Sequence, residues 1–319
     1  MELRKLGNSD IEISPIIMGT WQAGKAQWSG IDDAEINRAL RTAVDAGINT
    51  FDTAEVYGNG HSERILGKAL ADHRGQVIYA TKVFPNHLKY DQVINACNWS
   101  LKNLKTDYID LYQIHWPSGY WGSKIVPIEE SMRAMNDLKE QGKIREVGVS
   151  NFSRSQLEEA SRYGCIQSLQ PPYSLFWRHV EKDAMPYCIE NSITILAYSA
   201  MAQGILTGKF GSDHKFAKAD HRSKNKLFRP ENFERVQESL SGLRPIAERN
   251  GVSLGQLALA WVIAQPGTCA IAGARDARQV TQNAKAAEVV LSDDDLAEID
   301  SIGLIVTDPM DDNPVLWDF

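Results

Sequence analysis

The sequence predicts an α/β fold: a single (β/α)8 barrel domain spanning residues 1–319. Three observations carry this. Eight short apolar runs recur along the chain. Each is followed by a segment whose apolar residues have helical spacing. No linker, composition break or low-complexity segment interrupts the series. Strands that alternate with helices make a parallel sheet. Eight such units in one run favour a closed barrel over an open sheet.

The elements follow in order. Residues 1–15 are an N-terminal extension, and 16–18 are the first strand, ending at Gly19. Ala34, Ile36, Ala39, Leu40, Ala43 and Val44 predict a helix over 33–46, stopped by Gly47. Residues 48–51 are the second strand. A helix starts at Ser62 as cap, with Ile65, Leu66, Ala69 and Leu70 inward. Strands at 77–80 and 108–114 enclose a helix over 91–104. A helix over 127–140 has Pro127 in its first turn. Next come a strand at 144–149, a helix over 153–163 capped by Ser153, and a strand at 166–169. A helix over 180–190 leads to the seventh strand at 193–197. A long loop over 208–230 and helices over 232–249 and 254–264 precede the eighth strand at 268–271. A helix over 278–286 and a tail after Leu291 end the chain.

Composition narrows the function. Hydrophobic residues at 43% and charged residues at 24% are an ordinary globular mixture. A net charge of −7 argues against a nucleic-acid partner. No apolar run approaches the ~18 residues of a membrane span. One of the longest, 257–264, has eight. The first ten residues lack an apolar signal core. We therefore expect a cytoplasmic protein with no membrane partner. Cys97, Cys165, Cys188 and Cys269 form no CxxC pair or Cys/His cluster. They are expected to be small buried hydrophobes, with no metal bound. Oligomeric state is not legible.

Catalytic residues of such barrels come from the C-terminal ends of strands. Here the second strand runs into Asp52 and Tyr57, the third into Lys82 and the fourth into His115. Burying Lys82 and Asp52 unpaired would be costly. As a set they are coherent. An ammonium near a phenol favours the phenolate and lowers its pKa. A carboxylate keeps the ammonium charged and aimed. A neutral imidazole donates to a carbonyl oxygen. The set suits proton delivery to an oxygen becoming an alkoxide.

The segments DTAEVYGNGHSERILGKAL (52–70), ATK (80–82), YIDLYQIHWP (108–117) and GKIREVGVSNF (142–152) resemble the aldo-keto reductases. The resemblance runs from about residue 6 to about residue 300, and is closest in style to the bacterial and potassium-channel β-subunit-like branch. It implies a barrel enzyme that reduces a small-molecule carbonyl substrate, an aldehyde or ketone, with NADPH. It implies Tyr57 as general acid, Lys82 and Asp52 as its supporting pair, and His115 as the substrate-orienting group. Ser150 and Asn151 would hold the nicotinamide amide, assisted by Gln170, and Tyr198 would stack on the ring. Thr20 and Trp21 would border the cofactor.

Within residues 198–209, Ser199, Met201, Gly204, Leu206 and Lys209 match the pyrophosphate loop, although Ala200-Met201 replaces the usual Pro-Leu. The same stretch only half-resembles a Walker A loop, since Phe210 stands where Ser or Thr must bind magnesium. Gly273 and Arg275 match the site of the adenosine 2′-phosphate, with Gln279 and Asn283 for ribose and adenine. A guanidinium there favours NADP over NAD. The basic stretch holding Lys209, His214, Lys215, Lys218, His221, Arg222, Lys224, Lys226 and Arg229 would form a flap, with Lys209 and Arg222 on the phosphates. Trp21, Trp116, Tyr120, Trp121, Trp177 and the tail 314–319 are expected to wall the pocket and to favour an apolar or aromatic aldehyde. Two other readings compete. One is an NADPH-sensing regulatory subunit with little turnover, disfavoured by the short N-terminal extension. The other is a metal-dependent hydrolase, disfavoured because only His115 stands as a ligand at a strand end.

Overall fold

In the computed structural model the described residues are 1–25, 30–211, 214, 216 and 220–316. A short antiparallel hairpin, β1 (Arg4–Lys5) and β2 (Glu12–Ile13), precedes the barrel. The barrel strands are β3 (Ile16–Gly19), β4 (Thr50–Asp52), β5 (Ile78–Val83), β6 (Ile109–Ile114), β7 (Ile144–Ser150), β8 (Ser168–Gln170), β9 (Thr194–Ala197) and β10 (Thr268–Gly273). All pair in parallel in chain order, and β10 closes on β3. All eight predicted strands are present.

Helices α1 (Asp33–Asp45), α2 (His61–Ala69), α3 (Tyr90–Leu104), α4 (Ile128–Glu140), α5 (Arg154–Ala160) and α6 (Ala184–Glu190) follow the first six barrel strands. The seventh crossover carries two helices, α7 (Pro230–Arg249) and α8 (Leu254–Ala264). After β10 come α9 (Ala277–Lys285) and α10 (Asp293–Thr307). The tail beyond Leu291 is thus mostly a helix, packed along α7.

Two apolar layers hold this together. Between barrel and helices lies the main core, including Phe51, Leu66, Tyr112, Met135 and Trp261. Inside the barrel floor, Leu6, Ile11 and Ile13 of the hairpin region pack on Ile17, Leu111, Leu196 and Cys269. The N-terminal extension is therefore a plug.

Four expectations change. Ser62 does not cap α2; Gly60, in the left-handed region at φ 76°, holds that position. The Ser62 hydroxyl is instead drawn into the core, donating to the Thr20 carbonyl at 2.9 Å and accepting from Thr53 at 2.9 Å. The helix over 180–190 is two pieces, a 3-10 turn His179–Lys182 and α6. Pro127 stands just before α4 rather than in its first turn. Cys165 is exposed, while Cys97, Cys188 and Cys269 are buried.

Candidate active site

The polar centre of the mouth is an ion pair. Lys82 Nζ donates to Asp52 Oδ1 at 2.7 Å and to the Thr53 carbonyl at 2.6 Å. The Lys82 side chain is fully buried and that of Asp52 nearly so. Burial lowers the Lys82 pKa, opposed by the Asp52 charge and hydrogen bond and by Glu63. A dry pair persists only when its remaining hydrogen-bonding capacity is met. Gln170 Nε2 supplies Asp52 Oδ2 at 2.9 Å, and itself lies 3.4 Å from Gln113 Oε1. The Gln170 side chain thus serves Asp52; its backbone carbonyl accepts from Ser150 Oγ at 2.7 Å.

Tyr57 stands on the loop after β4. The left-handed Gly58 (φ 61°) lets this loop close on the loop after β3, where an added Cβ would sit 2.2 Å from the Gly24 carbonyl oxygen. Lys82 Nζ is 5.1 Å from the Tyr57 ring centroid. The His115 ring meets Tyr57 edge-on at 5.8 Å. Burial pushes the phenol well above its ordinary range, and the Asp52 charge adds to this. The direction is thus opposite to the lowering by the ammonium expected from sequence. Tyr57 therefore carries its proton at neutral pH.

His115 is anchored by its backbone N–H to the Val83 carbonyl at 2.9 Å. Burial first, then the Lys82 charge, hold its pKa well below the usual range, so the ring is neutral. Its Nδ1 is buried without a protein partner. Around it stands an aromatic wall. Phe84 packs edge-on against His115 at 5.7 Å; Trp121 is tilted against Phe84 at 6.2 Å and meets Trp116 edge-on at 5.8 Å. Trp116 also meets Tyr120 at 5.3 Å, and Trp21 meets Tyr57 at 6.3 Å. Trp177 does not belong to this wall. It is buried in the core, tilted against His179 at 4.6 Å, and donates to the Pro314 carbonyl at 3.1 Å. Leu316 is buried too; Trp317, Asp318 and Phe319, the end of the expected pocket-closing tail, lie outside the described residues.

The other candidates line the rest of the mouth. Tyr198 donates to Asn151 Oδ1 at 2.8 Å, and Asn151 Nδ2 donates to the His115 carbonyl at 3.0 Å. Thr20 Oγ1 donates to the Asp52 carbonyl at 2.9 Å, tying the ends of β3 and β4. After β9, Ser199, Ala202, Gln203 and Gly204 all have positive φ. Such turns gather backbone N–H groups into anion-binding concavities. The Ala202, Gly204 and Leu206 amides are spent inside this loop, on the Ser199 and Met201 carbonyls. The Met201 side chain faces Gly255 of α8, and Leu206 is buried.

Lys209 Nζ lies over Gly204. Burial and the charges of Arg222 and Arg275 lower the Lys209 pKa; burial and Arg222 lower that of Arg275. Three cations thus share one place, with Asp220 on Arg222. Lys226 is turned away, towards Asp311 at 3.2 Å. Lys215 and Lys218 of the expected flap lie outside the described residues, as does the His221 side chain. Gln279 Oε1 accepts from the Arg275 amide at 3.0 Å, and Asn283 Nδ2 lies 3.4 Å from the Gly273 carbonyl.

Gln113, Gln22, Gln203 and Glu55 were not anticipated. Gln22 Oε1, Gln203 Nε2 and Gln113 Nε2 are buried without a protein partner. Gln113 lies near the end of β6, two residues before His115, which follows the strand; that position was the available signal. Orphaned polar atoms, a left-handed turn and three crowded cations fit a dinucleotide with phosphates and a polar ring. Among the described residues no His, Cys, Asp and Glu group could hold a metal, and no helix is long and apolar enough to cross a membrane.

Fold and mouth together define a barrel of the nicotinamide-dependent type, with a phenol, an ammonium–carboxylate pair and a neutral imidazole at its strand ends. The model of the Aldo/keto reductase family matches residues 15–304, and the chain belongs to that family. It is similar to the aldo-keto reductase YhdN of Bacillus subtilis, with 37% identity over 95% of this chain and 93% of the relative. It is 33% identical to a probable voltage-gated potassium channel subunit beta of Arabidopsis thaliana, over 91% of this chain and 92% of the other. It is equally 33% identical to an NADH-specific methylglyoxal reductase of Escherichia coli, over 91% of this chain and 94% of that one. Among solved structures, a glycerol dehydrogenase of Gluconobacter oxydans superposes with TM-score 0.89 at 35% identity, covering 97% of each chain. An aldo/keto reductase of Klebsiella pneumoniae in complex with NADP and acetate has TM-score 0.76 at 31% identity, covering 98% of this chain and 97% of that one. The family and its reductase relatives thus make the protein an NAD(P)-linked oxidoreductase.

Proposed function

We propose that residues 1–319 act as one unit, a cytoplasmic reductase that uses NADPH to convert aldehydes, and ketones by extension, to alcohols. The observation that carries this is the buried Lys82–Asp52 pair beneath a protonated Tyr57 and beside a neutral His115.

A bound nicotinamide dinucleotide supplies the hydride. Ser150, Asn151, Gln170 and Tyr198 would hold its ring end, with Asp52, Thr20 and Trp21 alongside. The turn 199–206 with Lys209 and Arg222 would hold the pyrophosphate. Gly273, Arg275, Gln279 and Asn283 would hold the adenosine end. His115 orients the carbonyl oxygen by hydrogen bonding. Tyr57 gives that oxygen its proton as negative charge develops on it. Lys82 stabilises the phenolate left behind, and Asp52 with Gln170 keeps Lys82 charged and fixed. The aromatic wall excludes water and favours apolar or aromatic aldehydes.

NADPH oxidation with a panel of aldehydes, ketones and sugars tests the reading. Many turnovers per protein are expected. The resemblance to channel subunits supports a second reading, a cofactor sensor. Tight NADPH binding with only single-turnover oxidation across the panel would favour the sensor and overturn the enzyme.

A further inference from the structure

We propose that Glu55 is a positioning residue that locks the Tyr57 loop to the Phe84 wall, setting the acid and the substrate pocket in one register. The proposal rests on Tyr57 being the acid.

Glu55 lies two residues before Tyr57 and its side chain is 10% exposed. Its Oε1 accepts from the backbone N–H of Phe84 at 2.7 Å. His87 Nδ1 lies 3.0 Å from the same oxygen. The Glu55 backbone is also held, its N–H 3.4 Å from the Lys82 carbonyl and its own carbonyl accepting from Gly60 at 2.8 Å. One carboxylate therefore joins the loops after β4 and β5. The first loop carries Tyr57. The second carries Phe84, which touches both His115 and Trp121.

A hydrogen bond from a backbone amide to a carboxylate is roughly twice as strong as one between neutral groups. It is short, largely shielded and at the hinge between two functional loops. Nothing in the proton transfer itself uses Glu55. Its contribution is to alignment, and misplacement by about 1 Å can cost about 10²-fold in rate.

The test compares Glu55→Ala, Glu55→Gln and His87→Ala with propanal and benzaldehyde, alongside amide hydrogen exchange at Phe84. Glu55→Ala should lower kcat by up to about 10²-fold, raise KM for benzaldehyde more than for propanal, leave NADPH affinity unchanged and speed Phe84 exchange. Glu55→Gln keeps an acceptor oxygen and should recover most of the loss. His87→Ala should change little. Three results would overturn the proposal: an equal kcat loss for both aldehydes at unchanged KM, a Gln variant as impaired as Ala, or His87→Ala as costly as Glu55→Ala. Should Glu55→Ala not fold, Glu55→Asp, one methylene shorter, takes its place. If wild type turns over no aldehyde, the acid reading fails and exchange alone decides. Faster Phe84 exchange in the variant then supports the lock, and unchanged exchange overturns it.

Discussion

The two ends of the barrel solve opposite problems with the same eight strands. At the floor, Leu6, Ile11 and Ile13 plug the interior against Ile17, Leu111 and Leu196. The charged groups there are matched. Asp110, buried at the start of β6, pairs with Arg74 at 2.8 Å and Arg145 at 2.7 Å and accepts from the Tyr79 amide at 2.9 Å. The mouth is built otherwise. Among the described residues nine non-glycine residues have positive φ. Seven of them (Lys25, Asn59, Trp121, Asn151, Ser199, Ala202 and Gln203) follow barrel strands at the mouth. Such conformations cost about 1–3 kcal/mol each in sparsely populated regions and cluster where chemistry needs them. The floor closes on itself; the mouth keeps His115 Nδ1 buried without a protein partner and gathers Lys209, Arg222 and Arg275 in one place.

The comparison breaks most visibly at Lys82, which belongs to both ends' logic. Lys82→Met leaves Asp52 buried and unpaired. Removing one partner of such a pair costs about 3–5 kcal/mol. We expect a lower Tm together with loss of most carbonyl reduction, while NADPH still binds. An active variant with an unaltered pH–rate profile would contradict the role given to the ammonium.

Next comes the floor. Leu6 is fully buried in the plug. Leu6→Ala should cost about 2–5 kcal/mol of stability, read by denaturant unfolding. Activity per folded molecule should hold. A kcat loss without a stability loss would mean that the plug reaches the chemistry.

Tyr57→Phe should do the reverse. We expect kcat to fall by at least ~10²-fold, the lower end for general acid catalysis, with Tm and cofactor affinity nearly unchanged. Near wild-type kcat, with chemistry shown to be rate-limiting, would remove Tyr57 from the mechanism.

Legibility also divides by end and by range. All eight barrel strands could be read because each is a short apolar run between amphipathic helices. The Lys82–Asp52 pair could be anticipated because two charges at adjacent strand ends must meet. What escaped depends on which strand ends come together. Gln170 serves Asp52 from 118 residues away, and Glu55 reaches the Phe84 amide on the next strand's loop; no local pattern encodes either. Ser62 read as a cap because Ser before an apolar run usually is one. Its hydroxyl found tertiary partners in Thr20 and Thr53 instead. Trp177 read as pocket wall because it sits in a loop, but the chain's tail covers it. The direction of the Tyr57 shift was missed for a related reason. Residue types suggest the neighbouring charge, but only the fold sets how much burial opposes it.

The smallest expected effect is the most discriminating between the ends. Arg74 at the floor and Arg275 at the mouth are both part-buried arginines. Arg74 faces the Asp110 carboxylate, whereas burial and the Arg222 charge depress the Arg275 pKa. Removing Arg74 should therefore destabilise the protein by weakening the pairing of Asp110. The distinguishing effect of Arg275→Ala is expected on ligand binding. NADP differs from NAD by the 2′-phosphate, so a residue reading that phosphate separates the two. A charge-assisted contact is worth about 1.5–3 kcal/mol, and solvent and salt at this open edge push it to the low end. Arg275→Ala should weaken NADPH by about tenfold, the equivalent of about 1.4 kcal/mol, and leave NADH nearly untouched. The NADPH loss should shrink at higher salt, because the wild-type contact is itself screened. Equal weakening of both cofactors would make Arg275 a support for the turn rather than a reader of phosphate. A wild-type preference for NADH would overturn the NADPH assignment while leaving barrel, ion pair and acid in place.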